Sequence, residues 1–218
     1  KLSLPSLSIR RRGKIKNIER DILKAGRECR FISHLHTFFQ TKEHVIFCLE
    51  YCGGGELFHK LGVVKCFSEP HTRFYIAEIL LALEFLHSKG ILYRDMKAEN
   101  VMIASNGHVR LADFGLSRPH VRWADRGAQT YCGTVEYLAP EVVLRRGYGL
   151  AADWWQLGVL AHELLTGLPP WYTPDRGAML ERILKAPLAL PSETVGQGAA
   201  AGLLGALLRR DPQARLGG

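Results

Sequence analysis

Cys52-Gly53-Gly54-Gly55 divides this 218-residue sequence into two stretches of different character. Three consecutive glycines sample too much backbone space to settle in a helix or strand, so the chain reads there as a hinge. Before it, residues 35–41 and 44–51 are short, aromatic and β-branched, the pattern of a hairpin turning at Lys42-Glu43. Ahead of the hairpin, residues 14–25 place Ile15, Ile18, Ile22 and Leu23 on one helical face. Beyond the hinge the apolar spacing becomes helical. Residues 69–88 start behind Ser68 as N-cap with Pro70 in the first turn, and Gly90 ends them. Further helices read at about 151–166, 175–185 and 198–209. Residues 101–104 and 108–112 read as short strands joined by Asn106-Gly107, a favoured tight turn. The expectation is an α+β chain of two lobes, a small β-containing one over residues 1–52 and a mostly helical one over 53–218. No internal repeat or low-complexity tract interrupts them.

Charge is uneven. Residues 1–30 hold ten Lys/Arg against three acids, a net +7, and the remaining 188 hold nineteen against eighteen, a net +1. A basic front can attract phosphate or nucleic acid. No aromatic residues interleave with these charges, so a solvated helix face is the better reading and no specific nucleic-acid partner is expected. No run of eighteen apolar residues occurs, so no membrane span is expected. The sequence shows no secretory signal pattern, and it starts without Met, as if cut from something longer. Cys29, Cys48, Cys52, Cys66 and Cys132 are odd in number and form no C-x-x-C pair, which fits free thiols of a reducing compartment, cytosol or nucleus.

The chemistry is concentrated in three segments. Tyr93-Arg94-Asp95-Met96-Lys97-Ala98-Glu99-Asn100 comes first. Asp113-Phe114-Gly115 begins thirteen residues after Asn100, and Ala139-Pro140-Glu141 begins twenty-four after Gly115. Each tripeptide alone is weak. In this order and spacing the series resembles the protein kinases, with Tyr93 where most have His. Phosphoryl transfer needs positioning and charge neutralisation more than covalent help. The resemblance therefore implies ATP and Mg2+ as cofactors. Asp95 would orient the substrate hydroxyl and accept its proton, and Lys97 would offset charge on the transferred phosphoryl group. Asn100 and Asp113 would supply the hard oxygen ligands that magnesium wants.

The Thr130-Tyr131-Cys132-Gly133-Thr134 segment and Asp153-Trp154-Trp155 with Gly158 are similar to the AGC group of serine/threonine kinases. Phe39-Gln40-Thr41, Gly54-Gly55-Glu56-Leu57 and the closing Asp211-Pro212 with Arg215-Leu216-Gly217 look most like its ribosomal S6 and mitogen- and stress-activated branch, with protein kinase C-related enzymes close behind. This resemblance implies a set of roles. Glu19 matches the helix glutamate that pairs with the ATP-binding lysine. Leu23, Leu35, Tyr93 and Phe114 match a stack linking the lobes, anchored by Asp153. Leu49 takes the gatekeeper position, Glu50 and Cys52 offer backbone groups to adenine, and Met102 lies under its ring. Thr130 matches the activation-loop phosphosite, filled by an upstream kinase and paired by Arg94. Thr134 matches the residue that contacts the catalytic aspartate. Glu141 pairs with Arg215. Glu56, Glu99 and Glu163 match acids that take arginines preceding the target residue, and Glu56 also falls at the nucleotide. Protein substrates of R-x-x-S/T or R-R-x-S/T type are expected. Glu56 as a helix cap and Glu163 as a neighbour's partner are the plainer alternatives.

The pattern also departs from the family. No G-x-G-x-x-G-x-V loop or V-A-I-K strand precedes Glu19, so the first three strands are missing from the expected fold. Lys1, eighteen residues before Glu19, is the one candidate for the strand-three lysine. Lys14 and Lys16 share a helix with Glu19 and cannot serve, and Pro5 argues against a strand over residues 1–9. The sequence stops where a last helix and tail would follow. A small lobe short of strands leaves a sheet edge open. Marginal stability and weak or absent activity are therefore expected of this chain, and a kinase-like binding module is the alternative function.

Overall fold

The computed structural model describes residues 9–41, 44–190 and 198–218, and for 9–16 the backbone course only. Lys1, Pro5 and the Lys42-Glu43 turn lie outside those residues.

The first helix, α1, runs Ile9–Ala25, starting five residues earlier than the expected 14–25. Ile22 and Leu23 are buried on its inner side. Strands β1 (Leu35–Gln40) and β2 (Val45–Leu49) form the antiparallel hairpin, with Leu35 opposite Leu49 and Gln40 opposite Val45. The glycine run then departs from expectation. Gly55–Glu56 forms a two-residue strand, β3, and Leu57–Val64 a helix, α2. Strand β3 pairs with β4 (Val101–Ile103), which pairs with β5 (Val109–Leu111) in a small antiparallel sheet. Glycine is required beside that sheet: a Cβ on Gly54 would lie 2.7 Å from Ile103 Cγ2. The amide of Gly54 donates to the Ile103 carbonyl at 2.9 Å.

Helix α3 (Glu69–Ser88) starts after Ser68, carries Pro70 in its first turn and ends before Gly90, whose φ is +67°. Ser68 holds the N-cap position, but its hydroxyl bonds the His71 ring at 2.8 Å rather than a backbone amide. Short α4 (Pro140–Val143) leads to α5 (Ala151–Thr166), and α6 (Arg176–Lys185) and α7 (Ala199–Leu207) follow. Asp175 caps α6 by accepting from the Ala178 amide at 2.6 Å.

Helix α5 is the centre of the helical part. Fourteen of its sixteen residues are buried, so it is covered by neighbours on every side. A Cβ on Gly158 would sit 2.9 Å from Leu207 Cβ, so the glycine lets α5 and α7 touch. Trp155 stacks on Trp171 with ring centres 5.1 Å apart.

The chain on either side of the hairpin is tied to the β3–β5 sheet. Ser33 donates its amide to the Leu111 carbonyl at 2.9 Å, and the Leu111 amide donates to Phe31 at 2.8 Å. The Arg110 guanidinium reaches the Glu50 carboxylate at 2.8 Å, and the same oxygen accepts the His34 amide at 2.9 Å. Neither link is visible from local sequence.

Candidate active site

The site is built on the turn between α3 and β4, and α5 holds that turn. Asp153 is fully buried. One of its oxygens accepts the Tyr93 amide at 2.8 Å and the other the Arg94 amide at 2.8 Å. His87 at the end of α3 donates to the first of these at 2.8 Å. Gln156, three residues on and so on the same face of α5, takes the Met96 amide at 3.1 Å and gives its own amide to the Arg94 carbonyl at 3.1 Å. These contacts hold Arg94 at φ +76°, a conformation costly for a residue with a Cβ. Such strain persists because its surroundings over-determine it.

The strained turn delivers Asp95. Its carboxylate is buried and lies at the centre of a polar cluster. Asn100 donates from Nδ2 both to the Asp95 carbonyl at 2.8 Å and to Asp95 Oδ2 at 2.9 Å. Thr134 donates its hydroxyl to Asp95 Oδ1 at 3.3 Å. Lys97 Nζ stands 3.3 Å from Asp95 Oδ2 and donates to Thr134 Oγ1 at 3.4 Å. Three side chains thus fix one carboxylate. With Nδ2 committed to Asp95, Asn100 Oδ1 is left as an acceptor.

Asp113 is exposed, with φ +53° and the Gly115 amide bonded to its Oδ1 at 3.1 Å. The Asn100 carbonyl accepts the Ala112 amide at 2.9 Å, which ties the two segments one residue before Asp113. An amide oxygen and an accessible carboxylate are hard donors, and they fit a magnesium ion. Phe114 is buried against Tyr93, with ring centres 5.5 Å apart. Leu23 and Leu35 are buried in the same core. The Tyr93 hydroxyl donates to the Ala112 carbonyl at 2.5 Å.

On the other side of the hinge, Glu19 is half-buried and its carboxyl is pushed up to about 7, mainly by burial and then by the Asp113 carboxylate. Among the described residues no cation pairs with it. Among them, too, no donor meets the Glu50 carbonyl and no acceptor the Cys52 amide, whereas the Glu50 amide is committed to His34 at 2.9 Å. Met102 is half-buried in β4, opposite Glu56. Leu49 is 37% exposed.

Thr130 is exposed, and its carbonyl accepts the Tyr148 hydroxyl at 2.7 Å. Arg94 gives Nε to the Leu116 carbonyl at 2.6 Å and Nη1 to that same Tyr148 hydroxyl at 3.3 Å. Tyr148 therefore bridges Arg94 to the backbone of Thr130, a link the sequence did not reveal. Its phenol is pushed up to about 12 by burial, against the opposing pull of Arg94.

The three acids differ. Glu99 is exposed, and Glu56 is half-buried with His59 3.3 Å from its carboxylate. Glu56 stands at the start of α2 but accepts no capping bond there. Glu163 is buried on α5 and accepts the Tyr137 hydroxyl. Burial pushes its carboxyl up to about 7; the Tyr137 bond lowers it, and Glu99 and Glu136 raise it again. Tyr137 and Glu136 complete an acidic corner that the motifs did not single out.

Comparison with known proteins decides the family. Residues 7–218 match the model described as the protein kinase domain. The chain belongs to the protein kinase domain family. A zebrafish (Danio rerio) protein named ribosomal protein S6 kinase alpha-6 is 45% identical over 216 residues, 99% of this chain and 28% of that protein. Serine/threonine protein kinase ypkA of Aspergillus fumigatus is 48% identical over 187 residues, 86% of this chain and 29% of that protein. Rat (Rattus norvegicus) serine/threonine-protein kinase Sgk1 is 44% identical over 199 residues, 91% of this chain and 45% of that protein. The kinase domain chain thus spans between about a quarter and a half of these relatives, all serine/threonine kinases of the AGC group. The α+β architecture, with few strands ahead of the glycine hinge, is that of a kinase domain carrying a reduced small lobe among the described residues.

Proposed function

We propose that this chain transfers the terminal phosphoryl group of ATP to serine or threonine hydroxyls in arginine-containing proteins. Residues 1–52 would form the nucleotide-facing lobe and residues 53–218 the substrate-facing one. One observation carries the reading: Asn100, Thr134 and Lys97 converge on the single carboxylate of Asp95. The target hydroxyl donates to Asp95, which takes its proton as the oxygen attacks phosphorus and ADP leaves. Lys97 offsets charge gathering on the transferred group. Asn100 and Asp113 would hold magnesium, which would neutralise phosphate charge. Glu50 and Cys52 would present their free backbone groups to adenine above Met102. Thr134 beside Asp95 favours an aliphatic hydroxyl as acceptor. Glu56, Glu99 and Glu163 would take arginines upstream of it. A phosphate on Thr130, added by another kinase, would draw on Arg94 and Tyr148 to order the segment before Thr134. Five free cysteines fit a reducing compartment, cytoplasm or nucleus.

A second reading rests on Glu19. Its partnerless carboxyl, pushed up to about 7, is the state of a small lobe that does not grip nucleotide, and the chain would then serve as a kinase-like binding module. Thermal unfolding with and without Mg-ATP separates the two. A ligand held only by the folded state raises stability by RT ln(1 + [L]/Kd), about 2.7 kcal/mol at one hundred times Kd. A shift that Asp113→Ala abolishes, together with labelling of an R-x-x-S peptide that Asp95→Asn abolishes, supports the enzyme. A cooperative melt untouched by Mg-ATP would sink it and leave the binding module.

A further inference from the structure

Beside the turn that carries Asp95, His87, Lys89, His120 and Arg122 line one cavity of about 360 Å³, together with Ser88, Gly90, Val121 and Leu150. Two of these basic residues come from the end of α3 and two from the segment before Trp123. No acid is among the lining residues. We propose that this cavity is a binding site for a phosphate group, separate from phosphoryl transfer.

Three features support it. First, Arg122 and His120 are exposed and have no hydrogen-bond or ion-pair partner among the described residues. An arginine with no counter-charge beside other nitrogen donors on a concave space offers an anion both charge and hydrogen bonds. Second, the walls are already in place. Leu92 and Arg118 exchange backbone bonds at 2.9 and 2.8 Å, Val121 donates to Gly90 at 2.9 Å, and Leu150 donates to Trp123 at 3.0 Å. A preformed cradle spares the ligand the cost of ordering it. Third, His120 holds φ +64°, which places an imidazole on backbone that glycine would occupy more cheaply. Such strain concentrates at ligand sites.

Two competing contacts do not fill the site. Lys89 reaches Glu28 at 2.8 Å, but both side chains are largely exposed and such pairs contribute little in water. His87 gives Nε2 to Asp153 at 2.8 Å, which fixes its ring against the cavity wall. His87 also makes the site adjoin the catalytic turn, since Asp153 holds the amides of Tyr93 and Arg94.

Pyrophosphate, inorganic phosphate and a phosphoserine peptide are titrated calorimetrically into the 218-residue chain in EDTA, so that no metal–phosphate complex forms at Asn100 and Asp113. The expected result is saturable one-site binding by at least one probe. The tightest probe names the source, free phosphate or a modified side chain. Arg122→Ala should weaken it about tenfold or more, as loss of a charge-assisted contact does. His120→Gly should do the same while relieving the backbone, so a folding defect cannot account for the loss. Lys185→Ala, a surface cation on α6 paired only with Glu181, should bind as the parent does. No saturable heat, equal loss in Lys185→Ala, or full binding in both cavity variants would each overturn the proposal.

Discussion

Arg215→Ala tests how the chain fixes the segment after Ala139. Arg215 is 3% exposed and Glu141 7% exposed. The guanidinium meets the carboxylate in two parallel bonds, Nη1 to Oε1 at 2.7 Å and Nη2 to Oε2 at 3.0 Å. It also donates to the Ala151 carbonyl at 2.8 Å and the Arg209 carbonyl at 2.9 Å, and lies 5.1 Å from the Trp155 ring centre. One side chain therefore joins α4, the start of α5 and the turn after α7. Truncation leaves the Glu141 carboxylate buried without a counter-charge, which costs about 3–5 kcal/mol. Water entering the void restores part of the lost carbonyl bonds, which include one to Arg210 at 3.3 Å, so about 4 kcal/mol is expected in all. A domain of this length shifts about 2–4 °C per kcal/mol, so the melting temperature should fall by about 8–16 °C. Urea unfolding followed by tryptophan fluorescence reads the same quantity. Glu141→Leu with Arg215→Met should recover most of the loss, because a buried pair stabilises little relative to apolar replacements although breaking it is costly. An Arg215→Ala melt within 1 °C of the parent, or a double variant as weak as the poorer single one, would refute this account.

Three further outcomes are expected. Asp153→Asn keeps shape but turns an acceptor of two backbone amides and His87 into a partial donor. Phosphorylation of a peptide should fall about 100-fold or more, with a stability loss of about 2 kcal/mol by urea titration. Glu163 and Glu19 titrate near 7 in the fold against 4.5 unfolded, so they bind protons more tightly when folded. Their stabilising contribution is complete below about 4.5, declines as pH rises, and is lost above about 7. Glu163→Gln should flatten part of that decline, worth up to about 3 kcal/mol, in melts taken across this range. If Glu163 takes a substrate arginine, KM for arginine peptides should fall as pH rises through 7 and lose that dependence in Glu163→Gln. A KM flat in the parent would remove Glu163 from substrate binding.

What the sequence revealed depended on whether the governing interaction was local. Helix α5 follows its apolar density, and the β4–β5 turn follows Asn106-Gly107, where the Gly107 amide closes on Ala104 at 2.9 Å. Helix α2 was not legible. LFHKLGVV carries Gly62 and lies behind three glycines, and it holds because Leu57 and Leu61 are buried beneath it. Gly55 and Glu56 became a strand because Met102 and Ile103 offered an edge. The side chains around Asp95 were legible as a motif, but the residues that position them were not. Gln156 had one usable signal, its i, i+3 spacing from Asp153. Tyr148 had none, since its contacts to Arg94 and Thr130 span 54 and 18 residues. Glu163 read as a substrate acid or as a neighbour's partner, and only the fold names Tyr137 as that neighbour.

The catalytic turn and the nucleotide-facing lobe draw on different supports. Asp95, Asn100, Lys97 and Thr134 are positioned by α5, through Asp153 and Gln156, and by the buried Tyr93. None of these contacts passes through residues 9–50. Glu19, by contrast, has no cation partner among the described residues, and Leu49 is partly exposed. It follows that changes in α1 or the β1–β2 hairpin should act on nucleotide affinity and leave the geometry at Asp95 intact, whereas changes at Asp153 or Gln156 should act on transfer even with nucleotide saturating. The helical part is thus a preorganised half of an active site. The Mg-ATP melt therefore reads the part before the glycine run, and peptide labelling reads the helical part.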